Sequence, residues 1–270
     1  MALPETVVVK PGRYWDVSWN PVTGEACHPE RLEQPLHWRK SRRVLVGDLF
    51  ADGIPDEFID KVLDVIWATP RHTFLMPTKR PHRFPGYFSR WQGPTVKNGG
   101  YASEVRLPDN LWLGVSVSTQ ADADERIPLL LQTPAAVRWV SVEPMLAAVW
   151  LDKWLLPTFP QITPSQVRCL GWKPPIDWVV VGGETGPGAR PLDDDWVRGL
   201  RDQCQAAGVP FYLKQLGEWR EACAPDDEIW AGHPPNLRHE HGTYFIRVGK
   251  RAAGRLLDGV EWNEMPEGRP

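Results

Sequence analysis

The chain has 270 residues, of which 42% are hydrophobic and 24% charged, and its net charge is −3. This composition is ordinary for a soluble globular protein, and the length suffices for one large α/β domain or two small ones. The charge excludes a global attraction to nucleic acid or anionic membranes, but not a local basic patch. Because no segment resembles a signal peptide or a membrane span, we expect a cytoplasmic protein without membrane association.

Short β-branched runs alternate with helical segments along the chain. The predicted strands lie in 42–50, 72–81, 111–119, 137–145, 176–191 and 209–219, and the fifth of these runs into a Gly-rich loop. The predicted helices lie in 54–70, 119–134 and 193–208. Two segments rich in Pro, Gly and Trp, 84–108 and 146–175, are predicted to be insertions.

Apolar strands that alternate with helices predict a parallel sheet buried on both faces. With the N-terminal "YWDVSWNP" the count is about seven βα units, close to the eight of a closed barrel. A doubly wound open sheet fits the same alternation. We favour an α/β fold of the incomplete TIM type, a parallel barrel over residues 1–219. A C-terminal extension, 220–270, is expected to pack on it, with a strand and short helix in 244–259.

In either parallel fold, ligands bind at the C-terminal ends of the strands. Polar residues or glycines occupy these ends in six strands: Asp48, Thr78, Lys79, Arg80, Ser116, Ser118, Glu143, Gly182, Gly183, Glu184, Lys214 and Gln215. Any one of them could simply be a loop hydrogen-bonder or a helix cap. Together they predict a barrel mouth that binds a small charged ligand.

The loop "GGETGPGARP" has two interpretations. Its glycines could let backbone amides approach a phosphate or carboxylate, with Arg190 as a bidentate partner. Alternatively the glycines supply positive φ in a wide loop. The loop matches neither GxGxxG nor the Walker A pattern. Likewise "TKRP" (78–81) either contacts phosphate or is a solvated basic loop.

Nucleic-acid binding is an alternative function. The basic segments "HWRKSRR" (37–43) and "TKRPHRF" (78–84), with tryptophans from the insertions, could hold DNA or RNA. The competing interpretation is that the tryptophans fill the core and the arginines are solvated. The oligomeric state does not follow from the sequence.

Metal-ligand spacing is missing from the chain. The four cysteines lie far apart without a CxxC pair, which fits a reducing compartment and neither a disulfide framework nor a zinc knuckle. The segment with Cys223, His233, His239 and His241 reads as a loop without ligand spacing, so we expect no metal there.

Several longer motifs carry a resemblance to a known family: "WNPVTG" (19–24), "DLFADGIPDEFID" (48–60), "VSVEPML" (140–146), "GGETGPGARP" (182–191), "LKQLGEW" (213–219) and "VGKRAAGRLLDG" (248–259). From about Trp15 to Pro266 the chain resembles uncharacterised phage and prophage proteins related to radical S-adenosylmethionine (radical SAM) enzymes. The resemblance implies a radical-SAM-like partial barrel, a [4Fe–4S] cluster held by three thiolates, and SAM on the fourth iron.

The chain departs from this family where the cluster ligands should be. Glu25 stands in place of the first cysteine, and the loop with two further close cysteines is missing, so that Cys27 is the only thiol near this junction. One thiol cannot supply three thiolates. We therefore expect a barrel that has lost its cluster and keeps a charged-ligand mouth, with Cys27 an ordinary cysteine. A radical SAM enzyme of nucleic acid modification with an unusual cluster site is the remaining alternative.

Overall fold

The centre of the protein is a six-stranded parallel sheet, seen in a computed structural model that describes residues 27–91, 107–156, 174–222 and 236–266. Its strands are β1 (Arg43–Leu45), β2 (Thr73–Thr78), β3 (Leu111–Val117), β4 (Val137–Val142), β5 (Trp178–Gly182) and β6 (Phe211–Gln215). Each strand pairs with its predecessor in the chain. This order gives a curled half-barrel with all strand C-termini at one edge.

Helices flank the sheet. They are α1 (Gln34–His37), α2 (Asp56–Ala68), α3 (Arg83–Phe88), α4 (Gln120–Leu131), α5 (Asp152–Leu155), α6 (Asp194–Ala207) and α7 (Lys250–Ala253), with a 3₁₀ turn at Pro29–Arg31. The longer helices follow an amphipathic pattern. In α2, for example, Phe58, Val62 and Ile66 are buried at helical spacing against the sheet. Burial of each such side chain stabilises the fold by about 1.5–3 kcal/mol.

Helix ends are set by local chemistry. Thr119 and Asp122 form a reciprocal capping box at the start of α4. The Asp193 side chain accepts from the Asp195 amide at the start of α6. Gly208 ends α6 in the left-handed region at φ 70°, which costs a glycine nothing. These caps fix where each helix leaves the strand that precedes it.

The inner face of the half-barrel is aromatic near the N-terminal ends of the strands. Trp178 lies at the centre of this floor, with its ring centroid 5.9 Å from Trp112, 5.6 Å from Trp139 and 5.9 Å from Tyr212. The Trp139 indole donates to the Trp112 carbonyl at 3.0 Å and lies over Gly114. The interior is therefore a packed floor at this depth and not an open channel.

The C-terminal part of the chain lies beside β6. Strands β7 (Trp219–Ala222), β8 (Leu237–Glu240) and β9 (Thr243–Arg247) form an antiparallel sheet in the order β7-β9-β8. Strands β10 (Leu256–Leu257) and β11 (Val260–Glu261) form a hairpin. After it, the Leu213 amide donates to the Trp262 carbonyl at 2.9 Å and the Glu264 amide donates to the Phe211 carbonyl at 3.1 Å. The exposed edge of β6 is thereby covered.

The predicted alternation is confirmed for the six strands and for the helices in 54–70, 119–134 and 193–208. The N-terminal strand predicted at "YWDVSWNP" lies outside the described residues, and a full TIM barrel is not seen among the described ones. The segments predicted as insertions contain α5 and most of α3. In the described part of the chain, no helix combines the length and apolarity needed to cross a membrane.

Candidate functional site

The strand register places a set of side chains above the aromatic floor. Ser116 pairs with Ser141, Ser141 with Val180 and Val180 with Tyr212, so these four residues form one level of the inner face. Because side chains alternate along a strand, Glu143 follows two residues beyond Ser141 on the same face. The mouth of the half-barrel is thus built by β3 to β6.

The centre of this mouth is an ion pair between Glu143 and Lys214. The Lys214 Nζ lies 2.9 Å from Glu143 Oε2, and the two side chains are 27% and 22% exposed. Gln215 Nε2 lies 3.4 Å from the other oxygen, Glu143 Oε1. Gly182 makes room for the carboxylate, since a Cβ there would lie 2.9 Å from Glu143 Oε1. The structure therefore brings these four sequence-predicted residues together.

This pair is accessible and weakly held. Ion pairs that remain in contact with solvent contribute about 0–1 kcal/mol, because Coulomb attraction is offset by side-chain entropy and screening. A ligand that brings its own positive and negative groups can take over both partners at little cost. The arrangement is suited to exchange rather than to holding the fold together.

The Gly-rich loop after β5 is held by its own side chains. Arg190 donates to Glu184 from Nε at 2.8 Å and from Nη2 at 2.9 Å, and this bidentate pair lowers the pKa of the Glu184 carboxyl. Gly186 and Gly188 have φ of 98° and 78°. These two glycines thus supply positive φ in the loop, and the guanidinium of Arg190 pairs with Glu184.

The loops after β5 and β6 meet backbone to backbone. A Cβ on Gly183 would lie 2.6 Å from the Leu216 carbonyl oxygen, and one on Gly217 would lie 2.8 Å from the Glu184 carbonyl oxygen. Glu218 accepts from the Gly186 amide at 3.0 Å. This close approach, which only glycine permits, closes one side of the mouth.

The residues predicted at the ends of β1 and β2 form a separate cluster. Thr78 Oγ1 donates to Asp48 Oδ1 at 2.6 Å, and Arg80 Nη1 donates to Asp48 Oδ2 at 3.0 Å. The Lys79 amide also donates to this carboxylate, at 3.3 Å, while its side chain is exposed. Asp48 thus ties the β1 loop to the β2 loop, and its acceptor capacity is used within the protein.

Ser118 and Ser116 mainly contribute main-chain contacts. The Ser118 amide donates to Asp122 at 2.9 Å, within the α4 cap. Arg126 Nη1 donates to the Ser116 carbonyl at 2.7 Å. These bonds fix the exit of β3. Of these two serines, only Ser116 has a side chain that faces the mouth, at the level of Ser141.

Three residues of the mouth were not predicted from the sequence: Ser141, Tyr212 and Arg255. The alternation in "VSVEP" does carry a signal for Ser141, because Ser141 and Glu143 lie two apart on one face. Arg255 carries no such signal, since it belongs to the C-terminal extension. Its Cζ lies 4.9 Å from the ring centroid of Tyr212, which places it on the inner side of β6.

The described residues do not fit a [4Fe–4S] cluster. Cys27 packs against the hydrophobic core on the helix side of the sheet, and burial raises the pKa of its thiol. Cys204 is fully buried in α6. Among the described residues no group of three or more His, Cys, Asp or Glu side chains could hold a metal ion. Cys169 and Cys223 lie outside the described residues, as do Glu25 and His233.

The two remaining histidines of the predicted loop contact aromatic rings. His239 lies 4.5 Å from Tyr244 and His241 lies 4.9 Å from Trp196, both measured between ring centroids. The prediction that this segment is a loop is wrong for His239, which lies in β8, while His241 lies in the turn before β9.

Fold and site together define a parallel α/β half-barrel with a charged mouth at the C-terminal ends of its strands. The chain belongs to the family described as "Protein of unknown function (DUF5131)", which it matches over residues 13–266. No curated protein and no solved structure matches it. The relation to radical SAM enzymes and the phage origin stay predictions.

Proposed function

We propose that this protein binds a small zwitterionic ligand in the mouth of the half-barrel and that it does so without an iron–sulfur cluster. The observation that carries this proposal is the accessible Glu143–Lys214 pair above the aromatic floor. The ammonium of the ligand would bind Glu143 and its carboxylate would bind Lys214. The resemblance to SAM-dependent proteins makes a nucleoside with an amino-acid end the first candidate.

Charge balance favours a zwitterion over a ligand with one charge. A purely cationic ligand on Glu143 would leave Lys214 without its partner, and a purely anionic ligand would leave Glu143 unpaired. Either ligand would separate the pair and leave one charge of the mouth without a counter-charge. A ligand with both groups keeps both side chains paired.

The test is a calorimetric titration of S-adenosylhomocysteine into the wild-type protein and into E143Q and K214M. We expect binding to the wild type and at least about tenfold weaker binding to each variant, or about 1.4 kcal/mol. The matched control is K153M, which removes the same side chain from an exposed pair with Asp124 at 2.7 Å, between helices α5 and α4. Unchanged affinity in E143Q and K214M, or no binding to the wild type, would contradict the proposal.

A second candidate function, nucleic-acid binding, is supported at the opposite end of the sheet. Arg39, Lys40 and Arg42 precede β1, are exposed, and form no ion pair with a described acidic residue. The guanidinium of Arg42 lies 4.8 Å from the ring centroid of Trp38. Trp67 on α2 is 41% exposed. Unpaired cations beside exposed aromatic rings are the features that bind single-stranded nucleic acid.

In the other predicted basic segment, 78–84, both arginines form ion pairs. Arg80 pairs with Asp48 and Asp52, and Arg83 pairs with Asp56. The test for nucleic acid is therefore confined to 37–43. Fluorescence anisotropy with a single-stranded oligonucleotide should show binding that weakens with salt and in R39E/K40E. Binding that is absent at low salt would exclude this function.

A further inference from the structure

Arg255 is a cation of the half-barrel interior that forms no ion pair with any carboxylate of the described residues. The Leu216 amide donates to the Gly254 carbonyl at 3.0 Å, so the residue before Arg255 is fixed at the mouth end of β6. From there the side chain reaches Tyr212, with Cζ 4.9 Å from its ring centroid. Lys214 and Tyr212 lie two apart on the same face of β6. Arg255 therefore lies beside the lower edge of the proposed ligand site.

Part of the Arg255 guanidinium lacks a hydrogen-bond acceptor, although its side chain does hydrogen-bond Tyr212. Its Nε and Nη2 are buried and have no partner, and it forms no ion pair with a described carboxylate. Glu261 influences the pKa of Tyr212 but does not pair with Arg255. On the same inner face the Trp112 indole Nε1 is also buried without an acceptor. Three buried donor atoms of the described inner face therefore lack an acceptor.

Such an arrangement is costly unless something compensates it. A buried donor without an acceptor costs about 1–3 kcal/mol, and more when the donor is charged. The ring of Tyr212 offsets part of this through its cation–π contact, which is worth about 0.5–2 kcal/mol. A ring face does not accept the in-plane N–H groups of a guanidinium, so Nε and Nη2 of Arg255 keep donor capacity that an oxyanion would satisfy.

We infer that Arg255 binds an oxyanion, a phosphate or a carboxylate, inside the half-barrel below the Glu143–Lys214 pair. Guanidinium groups prefer these anions because two parallel N–H bonds match two oxygens. This inference deepens the proposed function, on which it rests only for the placement of the rest of the ligand. A ligand that reaches both places carries a second anionic group besides its zwitterionic end.

The experiment uses inorganic phosphate as its probe, because phosphate alone does not need the Glu143–Lys214 pair. Binding is followed from the ³¹P line width in the presence of the full-length protein. We expect broadening with the wild type and with E143Q, and at least a tenfold rise in the apparent Kd for R255Q. R251Q is the matched control, since Arg251 is exposed on α7 and its loss removes an equal charge. Acetate is added in a parallel arm, where displacement of phosphate shows that carboxylates share the site.

The outcomes separate the two proposals. Phosphate binding by R255Q at wild-type strength, or no binding by the wild type, would overturn the inference. If E143Q no longer binds S-adenosylhomocysteine but binds phosphate as the wild type does, both proposals are supported. If the wild type binds phosphate but not S-adenosylhomocysteine, only the proposed function is contradicted. If R255Q does not fold, R255K is used instead, because a lysine ammonium lacks the two parallel N–H donors of a guanidinium. A phosphate affinity of R255K equal to that of the wild type would overturn the inference.

Discussion

Substitution of Gly114 by alanine should destabilise the protein through the aromatic floor. A Cβ at this position would lie 2.5 Å from Cε2 and 2.7 Å from Nε1 of Trp139, closer than carbon atoms can approach. The indole cannot move freely, because it donates to the Trp112 carbonyl and packs on Trp178. The added methyl group must therefore displace a buried tryptophan.

The expected cost has two parts. Forcing an extra methyl group into a packed core costs about 1–3 kcal/mol. Loss of the hydrogen bond from the Trp139 indole adds about 1 kcal/mol. We thus expect the free energy of unfolding of G114A to fall by about 2–4 kcal/mol.

Urea denaturation followed by tryptophan fluorescence measures this change. The control is G199A, because Gly199 lies inside α6 with no atom near the position of a Cβ. There the same substitution should raise the free energy of unfolding by about 0.8–1 kcal/mol through helix propensity. A G114A protein as stable as the wild type would refute the described packing of Trp139 on Gly114.

Two further predictions concern α6. Burial and the nearby charge of Glu221 raise the pKa of Asp194 from 3.8 to about 6, so the folded state holds this proton more tightly and stability falls as pH rises from about 4 to 6. D194N should therefore be more stable than the wild type at about pH 8 and no more stable at about pH 3.5. The control D195N changes an exposed residue and should not show this pH-dependent gain. The urea midpoints of the three proteins, measured at both pH values, test the prediction. The Cys204 thiol, whose pKa burial raises, should resist alkylation by iodoacetamide until the protein unfolds, as followed by peptide mass mapping. Rapid labelling of Cys204 in the native protein would contradict its buried position.

The sheet was predictable because its signals are local. Continuous apolar runs such as "DWVVVG" indicate buried parallel strands, and residues after such a run lie at the C-terminal edge. Glu143 and Lys214 were found by this rule alone. Their direct contact follows from the parallel pairing through β5, which brings the ends of β4 and β6 near one another.

The partners of the other charged residues could not be predicted. Glu184 and Arg190 bind each other, and Asp48 binds Arg80, although each could equally have faced a ligand. Which charge pairs with which depends on loop geometry that has no periodic signal. Arg255 reaches the interior only because residues of the extension pair with the end of β6. No sequence pattern links these two segments, so their contact could not be predicted.

The central claim is that the mouth recognises the charges of its ligand, and one titration tests it most directly. S-adenosylhomocysteine and methylthioadenosine share the nucleoside and the thioether, but only the first has the amino-acid end. Calorimetry on the wild-type protein should show at least tenfold tighter binding of S-adenosylhomocysteine, since only it can take over both Glu143 and Lys214. Equal affinity for the two compounds, or binding of neither, would contradict the claim.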